Sequence, residues 1–141
     1  MIEVQNLTKR YGSHVAVDNI SFTVDEGEIL GFLGPNGAGK STTMNILTGY
    51  LSATDGLVKI NGHDVLEEPN EAKLNIGYLP EQPPLYLDMT VREYLDFMYE
   101  LKKCVLPRAQ HIAEICRLVK IQDVYGRLIK NLSKGYRQRV G

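Results

Sequence analysis

The feature that most restricts the fold of this 141-residue chain is a glycine-rich segment at residues 34–41. It matches the pattern G-x-x-x-x-G-K-[ST] in full, and its members are Gly34, Pro35, Asn36, Gly37, Ala38, Gly39, Lys40 and Ser41. Glycine adopts backbone angles that other residues avoid, so successive N–H groups can point into one concavity. Where such a turn opens a helix, the helix dipole adds to the attraction for anions. The segment therefore predicts a phosphate-binding loop between a strand and a helix.

The residues on either side of the loop supply the context that the pattern requires. Residues 29–33 are continuously apolar, which is typical of a strand buried on both faces of a parallel sheet. Residues 39–50 have helical spacing, with Met44 and Leu47 facing inward and Gly49 near the end. A chance match to the loop pattern is expected in about one per cent of chains of this size. The two flanks argue against that alternative.

Short apolar segments predict further strands. Residues 2–8 and 15–24 have the pattern of two antiparallel strands at the front of the chain. Residues 58–60 are followed by Asn61-Gly62, a pair that favours a tight hairpin turn. Residues 76–79 predict one more short strand.

The pattern becomes helical after residue 81. Thr90 with Glu93 three residues later is a capping box, which predicts a helix N-terminus. Pro107 suits the first turn of a second helix that runs to about residue 120. Ser133 suits the cap of a last helix. The first of these helices carries an apolar stripe formed by Val91, Tyr94, Leu95, Met98 and Leu101.

The side chains of the loop indicate a nucleotide as its ligand. Lys40 would reach the β- and γ-phosphates as a point charge, and the Ser41 hydroxyl would ligate magnesium. Thr42 would add a further contact at the phosphate end. These residue types therefore predict ATP and Mg²⁺ as the bound species.

The composition argues against several other classes of protein. A net charge of −1 gives no support to a nucleic-acid partner. No apolar run approaches the roughly 20 residues that span a bilayer. Cys104 and Cys116 are the only cysteines, and the three histidines are too scattered to suggest a metal site. We therefore expect a cytosolic protein without a structural disulfide.

A second segment makes a family recognisable. It consists of Leu132, Ser133, Lys134, Gly135, Tyr136, Arg137, Gln138, Arg139 and Val140. This segment resembles Leu-Ser-Gly-Gly-Gln, the signature motif of the ATP-binding cassette (ABC) ATPases, and the resemblance covers the whole chain. It implies an α/β fold with a P-loop NTPase core, an antiparallel β front part and a helical subdomain. The sequence pattern predicts the same order, and the two parts are an ATP-binding α/β core at residues 1–81 and a helical subdomain at residues 82–141.

The resemblance assigns further site residues. Tyr11 occupies the position of an aromatic residue that stacks on adenine, and Val17 lies near it. The alternative for Tyr11 is a turn aromatic packed on its own sheet, although a ring against a base contributes roughly 1–3 kcal/mol. Glu81 stands where the family usually has the glutamine of its Q-loop, and Gln82 comes next. Glu81 would bind magnesium or orient water, and which of the two residues acts stays open.

The signature segment departs from the family at two positions. Ser133 and Gly135 are kept, whereas Lys134 and Tyr136 replace a glycine and a glutamine. In the family this segment contacts the γ-phosphate held by the opposite subunit, and Lys134 would add positive charge there. The two arginines that follow are expected on a solvated helix face.

The resemblance implies the motor subunit of an ABC transporter of the bacterial exporter type, which couples ATP binding and hydrolysis to transport. Its partners would be a second ATPase subunit, paired head to tail, and an integral membrane permease at the inner face of the cell membrane. The apolar loop at residues 82–87 would contact the permease or pack within the subdomain junction. The alternatives are a soluble ABC-family ATPase in translation or DNA repair, and an unrelated P-loop kinase or GTPase. Because the family's Walker B strand and catalytic glutamate would follow residue 141, we expect a fragment that turns over little ATP alone.

Overall fold

The alternating apolar residues near the N-terminus form an antiparallel sheet, as the sequence predicts. The computed structural model describes residues 1–141, and its first compact unit is Met1–Tyr78. The strands of this unit are β1 (Ile2–Tyr11), β2 (His14–Val24), β3 (Asp55–Ile60) and β4 (His63–Asp64). They are ordered β2-β1-β3-β4, and each neighbouring pair is antiparallel.

The turn between β3 and β4 is a tight hairpin, which confirms the prediction from its sequence. Asn61 and Gly62, the two turn residues, have φ angles of 49° and 84°. A two-residue turn of type I′ needs positive φ at both positions, and asparagine followed by glycine meets that need with little strain. The turn brings Lys59 opposite Asp64 and Ile60 opposite His63.

Helix α1 (Lys40–Leu47) begins directly after the glycine-rich loop. It is shorter than predicted, because Thr48 caps its C-terminus and Gly49 adopts a φ of 70°, which helical backbone does not allow. Its inward face packs on the sheet, and the resulting core consists of Val4, Leu7, Val17, Ile46, Leu47 and Val58.

One short helix of the first unit lies where the sequence predicts no element. Helix α2 (Pro69–Leu74) has a proline in its first turn, where a fixed φ and a missing N–H are well tolerated. Ala72 is fully buried. With six residues the helix is too short to show a periodic apolar stripe, which is why the sequence pattern missed it.

Two predicted strands, at residues 29–33 and 76–79, are wrong: neither segment is a strand. Ile29 and Leu33 are 96% and 92% exposed, and only Phe32 is half-buried, with its ring 5.7 Å from that of Phe22. A strand needs a neighbouring strand to bond its N–H and C=O groups. The four-stranded sheet of this unit does not extend to either segment.

The regular elements of the second compact unit, Leu79–Gly141, are all helices. It contains α3 (Val91–Leu101), α4 (Arg108–Leu118), α5 (Lys134–Val140) and two 3₁₀ helices, Gln122–Val124 and Ile129–Asn131. One core cluster holds these elements together, and it consists of Val91, Tyr94, Ile112, Cys116, Ile121, Val124, Ile129, Leu132 and Val140. No helix of the protein combines the length and apolar character that crossing a bilayer requires.

The capping box at the start of α3 is confirmed. The Thr90 hydroxyl accepts a hydrogen bond from the Glu93 N–H at 3.2 Å, and the Glu93 carboxylate accepts one from the Thr90 N–H at 2.7 Å. These bonds from the Thr90 backbone and hydroxyl lower the pKa of Glu93. The predicted apolar stripe is wrong only at Leu101, which is 59% exposed because it is the last helical residue and lies beyond the core cluster.

Candidate nucleotide-binding site

The glycine-rich loop forms a tight turn that leads into α1. The Ala38 N–H donates to the Pro35 carbonyl at 3.2 Å, which closes a four-residue turn. Gly37 and Gly39 have φ angles of 84° and 82°, in the left-handed region that glycine tolerates best. No side chain caps the N-terminus of α1, so its first N–H groups are available to an anionic ligand.

Gly39 is required for a second reason, which is the close approach of β2. A Cβ atom built on Gly39 would lie 2.2 Å from the carbonyl oxygen of Ala16 and 3.1 Å from a methyl group of Val17. Only a residue without a side chain fits this space. Packing against β2 therefore fixes the position of the loop relative to the sheet.

The Lys40 side chain forms hydrogen bonds with the backbone at the start of the glycine-rich loop. Its ammonium group donates to the carbonyl oxygens of Gly34 at 2.6 Å and Pro35 at 2.7 Å. Both acceptors are neutral, so these bonds orient the ammonium group without neutralising its charge. The positive charge is thus held at the loop and remains available to phosphate oxygens.

The loop borders an open cavity of about 350 Å³. The cavity is lined by Tyr11, His14, Ala16, Asn36, Gly37, Gly39, Lys40, Ser41 and Thr42. No carboxylate is among these residues. The site therefore combines backbone N–H groups, hydroxyls and one fixed cation. This combination suits a polyanion such as a nucleoside triphosphate.

The structure brings Tyr11 into the same cavity as the loop. Its side chain is 48% exposed, and the Lys9 ammonium lies 5.3 Å from the centre of its ring. Val17, by contrast, is buried in the core of the first unit beneath the loop. Its neighbours His14 and Ala16 line the cavity instead. Sequence reasoning missed both, although their separation by two residues along one strand was a signal that they share a face.

The signature segment begins with a helix cap. The Ser133 hydroxyl accepts from the Tyr136 N–H at 3.3 Å, which confirms Ser133 as the cap of α5. Leu132 is buried in the core of the second unit, whereas the side chains of Ser133 and Lys134 and the backbone of Gly135 are exposed. The exposed members are thus accessible to a ligand or partner.

Tyr136 is directed toward its own unit. Its hydroxyl donates to the Asp123 carboxylate at 2.5 Å, and the Arg139 guanidinium lies 5.4 Å from its ring centre. The hydrogen bond to Asp123 is the main reason that the pKa of Tyr136 is raised. Tyr136 therefore ties α5 to the 3₁₀ helix Gln122–Val124.

The prediction that both arginines of this segment lie on a solvated helix face is wrong for Arg137. Its guanidinium donates to the carbonyl oxygens of Ile129 at 3.3 Å and Lys130 at 2.6 Å, and the side chain is half-buried. These acceptors lie in the 3₁₀ helix Ile129–Asn131, where the Ile129 carbonyl also accepts from the Leu132 N–H at 3.0 Å. Arg139 is exposed, as expected.

The proposed metal ligands lie in separate compact units. Ser41 is exposed at the end of the glycine-rich loop in the first unit, and Glu81 and Gln82 are exposed in the second. The structure contains no group of three or more histidine, cysteine, aspartate or glutamate side chains that could hold a metal ion by themselves. Because Mg²⁺ commonly binds through one or two protein ligands together with substrate phosphates and water, Ser41 fits a metal that arrives with a nucleotide.

The loop, the helix that it opens and the cavity beside them define a P-loop nucleotide-binding protein. The sequence profile of the ABC transporter family matches residues 17–141, and the chain belongs to that family.

Similar proteins support the assignment. The uncharacterized ABC transporter ATP-binding protein YxlF of Bacillus subtilis is 39% identical over 142 residues, covering 100% of this chain and 46% of that protein. The bacitracin transport ATP-binding protein BcrA of Bacillus licheniformis is 36% identical over 141 residues, covering 100% and 45%. This chain therefore spans about half the length of these relatives.

Solved structures share the fold. The structure of an ATP-binding subunit of an ABC transporter superposes with a TM-score of 0.89 at 29% identity, covering 99% of this chain and 59% of that one. A dimeric post-hydrolysis state of the ATP-binding cassette MJ0796, bound to ADP and Pi, gives a TM-score of 0.83 at 25% identity, covering 99% and 66%.

Proposed function

We propose that this chain is the nucleotide-binding part of an ABC transporter's ATPase subunit, and that the whole protein hydrolyses ATP to drive transport. The observation that carries the proposal is the Lys40 ammonium, held by two neutral carbonyls beside a cavity without carboxylates. A fixed positive charge with no acidic partner is suited to the phosphates of ATP. The alternative of a soluble ATPase in translation or DNA repair gains no support from the names of the relatives.

Each residue at the loop has a distinct role in this proposal. The N–H groups between Gly37 and Thr42 bind the phosphates, and Lys40 turns from its loop carbonyls toward the β- and γ-phosphates. Tyr11 stacks on adenine, with Val17 supporting the loop from below, which is consistent with the exposed ring and the buried valine. Magnesium, when bound with ATP, neutralises charge on the phosphates, and Ser41 would hold it. Glu81 or Gln82 is the Q-loop residue, which would bind this magnesium ion or orient water.

The signature segment acts on a second subunit's ATP in this proposal. Ser133, Lys134 and Gly135 present a hydroxyl, an ammonium group and an unhindered backbone at the exposed start of α5. Two subunits pair head to tail, so that each ATP lies between one loop and the other signature. The dimeric ADP- and Pi-bound cassette that shares this fold supports the pairing. ATP binding closes the pair, and hydrolysis with phosphate release reopens it.

The permease contact is assigned to the loop before α3. Tyr86 and Leu87 are 54% and 45% exposed, whereas Leu85 packs on the core of the second unit. The Tyr86 ring meets that of Phe97 edge to face, with centres 5.5 Å apart. An exposed apolar surface that is held in place by packing on its own unit suits contact with a protein partner. We place the subunit at the inner face of the membrane on this basis.

A mixing experiment tests the head-to-tail arrangement. Lys40→Ala removes the loop cation, and Ser133→Arg blocks the signature; each variant of the intact protein should bind or hydrolyse ATP poorly by itself. A mixed dimer pairs the normal loop of the second variant with the normal signature of the first, so it contains one working site. Equimolar mixing should therefore restore ATPase activity. If both variants stay inactive when mixed, although they form mixed dimers, the two elements do not act in trans.

A further inference from the structure

The chain contains two asparagine–glycine pairs in very different surroundings. Asn61-Gly62 lies in the hairpin turn between β3 and β4, and Asn36-Gly37 lies in the phosphate loop. In such a pair the glycine presents no side chain to hinder attack by its own backbone nitrogen on the asparagine amide. Asparagine is for this reason a chemically labile residue. The structure allows the two pairs to be compared within one molecule.

The amide of Asn61 is held at both ends. Its Oδ1 accepts from the N-terminal ammonium of Met1 at 2.7 Å, and its Nδ2 donates to Asn75 Oδ1 at 3.0 Å. The Asn61 N–H is also bonded, to the Met1 carbonyl at 2.9 Å. For the amide carbon to reach the Gly62 nitrogen, both side-chain bonds must break. The local geometry therefore protects this pair.

Asn36 has none of these restraints. Its side chain is exposed, makes no hydrogen bond and lines the cavity beside the phosphate loop. Asn36 occupies the second position of the Pro35–Ala38 turn. The hydrogen bond that closes this turn is donated by the Ala38 N–H, and the Gly37 N–H takes no part in it. The attacking nitrogen and the amide are thus adjacent, and both are free in the absence of a ligand.

We propose that Asn36 is a site of spontaneous deamidation, and that this modification inactivates the phosphate loop. The Gly37 backbone nitrogen attacks Cγ of Asn36, loses its proton and forms a cyclic imide as ammonia leaves. Water then opens the ring at either carbonyl, which yields aspartate or isoaspartate. The products place a carboxylate in a cavity whose only fixed side-chain charge near the loop is that of Lys40.

The consequence rests on the proposed function, because it concerns phosphate binding at this loop. A carboxylate on residue 36 would repel phosphate groups and compete for Lys40, and the isoaspartate product would also lengthen the backbone of the turn. We expect the modified protein to bind ATP roughly 100-fold more weakly, since repulsion between like charges a few ångströms apart is large near a protein surface. Bound nucleotide should in turn slow deamidation, because it engages the Gly37 N–H and orders the loop.

The test measures deamidation at both asparagine–glycine pairs by peptide mass spectrometry while the intact protein is kept at mildly alkaline pH. We expect the peptide with Asn36 to deamidate several times faster than the peptide with Asn61. A non-hydrolysable ATP analogue with Mg²⁺ should slow the reaction at Asn36 and leave the rate at Asn61 unchanged. Asn36→Asp should reproduce the loss of ATP affinity, whereas Asn61→Asp should bind ATP normally.

The possible outcomes distinguish a failure of the deamidation proposal from a failure of the proposed ATP-binding function. Equal rates at the two asparagines, in protein that binds ATP, would overturn the modification site alone. Fast deamidation of Asn36 in protein that does not bind ATP even when unmodified would overturn the proposed function, and with it the consequence. Normal ATP affinity of a folded Asn36→Asp variant would show that a carboxylate there does not inactivate the loop.

Discussion

Replacement of Gly39 by alanine should destabilise the protein far more than the same change at Gly37. Both residues have φ near 80°, and a left-handed backbone costs about 1–2 kcal/mol for a residue with a side chain. At Gly37 nothing lies within 4 Å of the added methyl group, so that cost is the whole effect. At Gly39 the methyl carbon would lie 2.2 Å from the Ala16 carbonyl oxygen, and displacing β2 should add about 1–3 kcal/mol.

The assay is the free energy of unfolding of the intact protein in urea, with ATP affinity measured beside it. We expect a loss of about 1–2 kcal/mol for Gly37→Ala and about 2–5 kcal/mol for Gly39→Ala. Gly56→Ala is the matched control, because Gly56 has a φ of 94° and its added methyl would lie 2.5 Å from the Asn6 carbonyl, outside the cavity. It should lose stability but keep its affinity for ATP. Equal losses for the two loop variants would refute the claim that β2 forces glycine at position 39.

Three further predictions concern the second unit. Thr90→Ala should lower the free energy of unfolding by about 1 kcal/mol by removing the cap of α3, and Thr90→Ser should restore it. Tyr136 has a raised pKa, so its bond to Asp123 contributes stability below the ordinary value near 10 and loses it as pH rises through the raised value. Tyr136→Phe should therefore abolish one late phenolate signal in an absorbance titration and flatten the decline of stability at alkaline pH. Arg137→Ala should cost about 0.5–1.5 kcal/mol in urea unfolding by removing its hydrogen bonds to the Ile129 and Lys130 carbonyls, whereas the exposed Arg139→Ala should cost under about 0.5 kcal/mol.

Local signals predicted their structures well. The capping box at Thr90, the helix cap at Ser133 and the hairpin turn at Asn61-Gly62 depend on atoms within a few residues of each other, so the sequence alone contains the information. The glycine-rich loop is similar, since its turn and the helix after it are built from neighbouring residues. These features were predictable because they need no partner from elsewhere in the chain.

Contacts between distant residues could not be predicted in this way. The bond between Tyr136 and Asp123 and the bonds from Arg137 to two carbonyls join segments that the sequence pattern treats separately. Their residue types suggested a solvated face or a ligand contact instead. The lining of the cavity by His14 has the same origin, because it depends on how β2 lies against the loop.

The sequence by itself determined that residues 34–41 form a tight turn that leads into a helix, because the spacing of the glycines restricts the backbone of that segment. It also determined where α3 and α5 begin, through the caps at Thr90 and Ser133. Only the tertiary structure decided which apolar segments became strands, since residues 29–33 have strand composition but no neighbouring strand to bond their backbone. It also decided that Gly39 must be glycine, because the constraint comes from the carbonyl of Ala16 in another element.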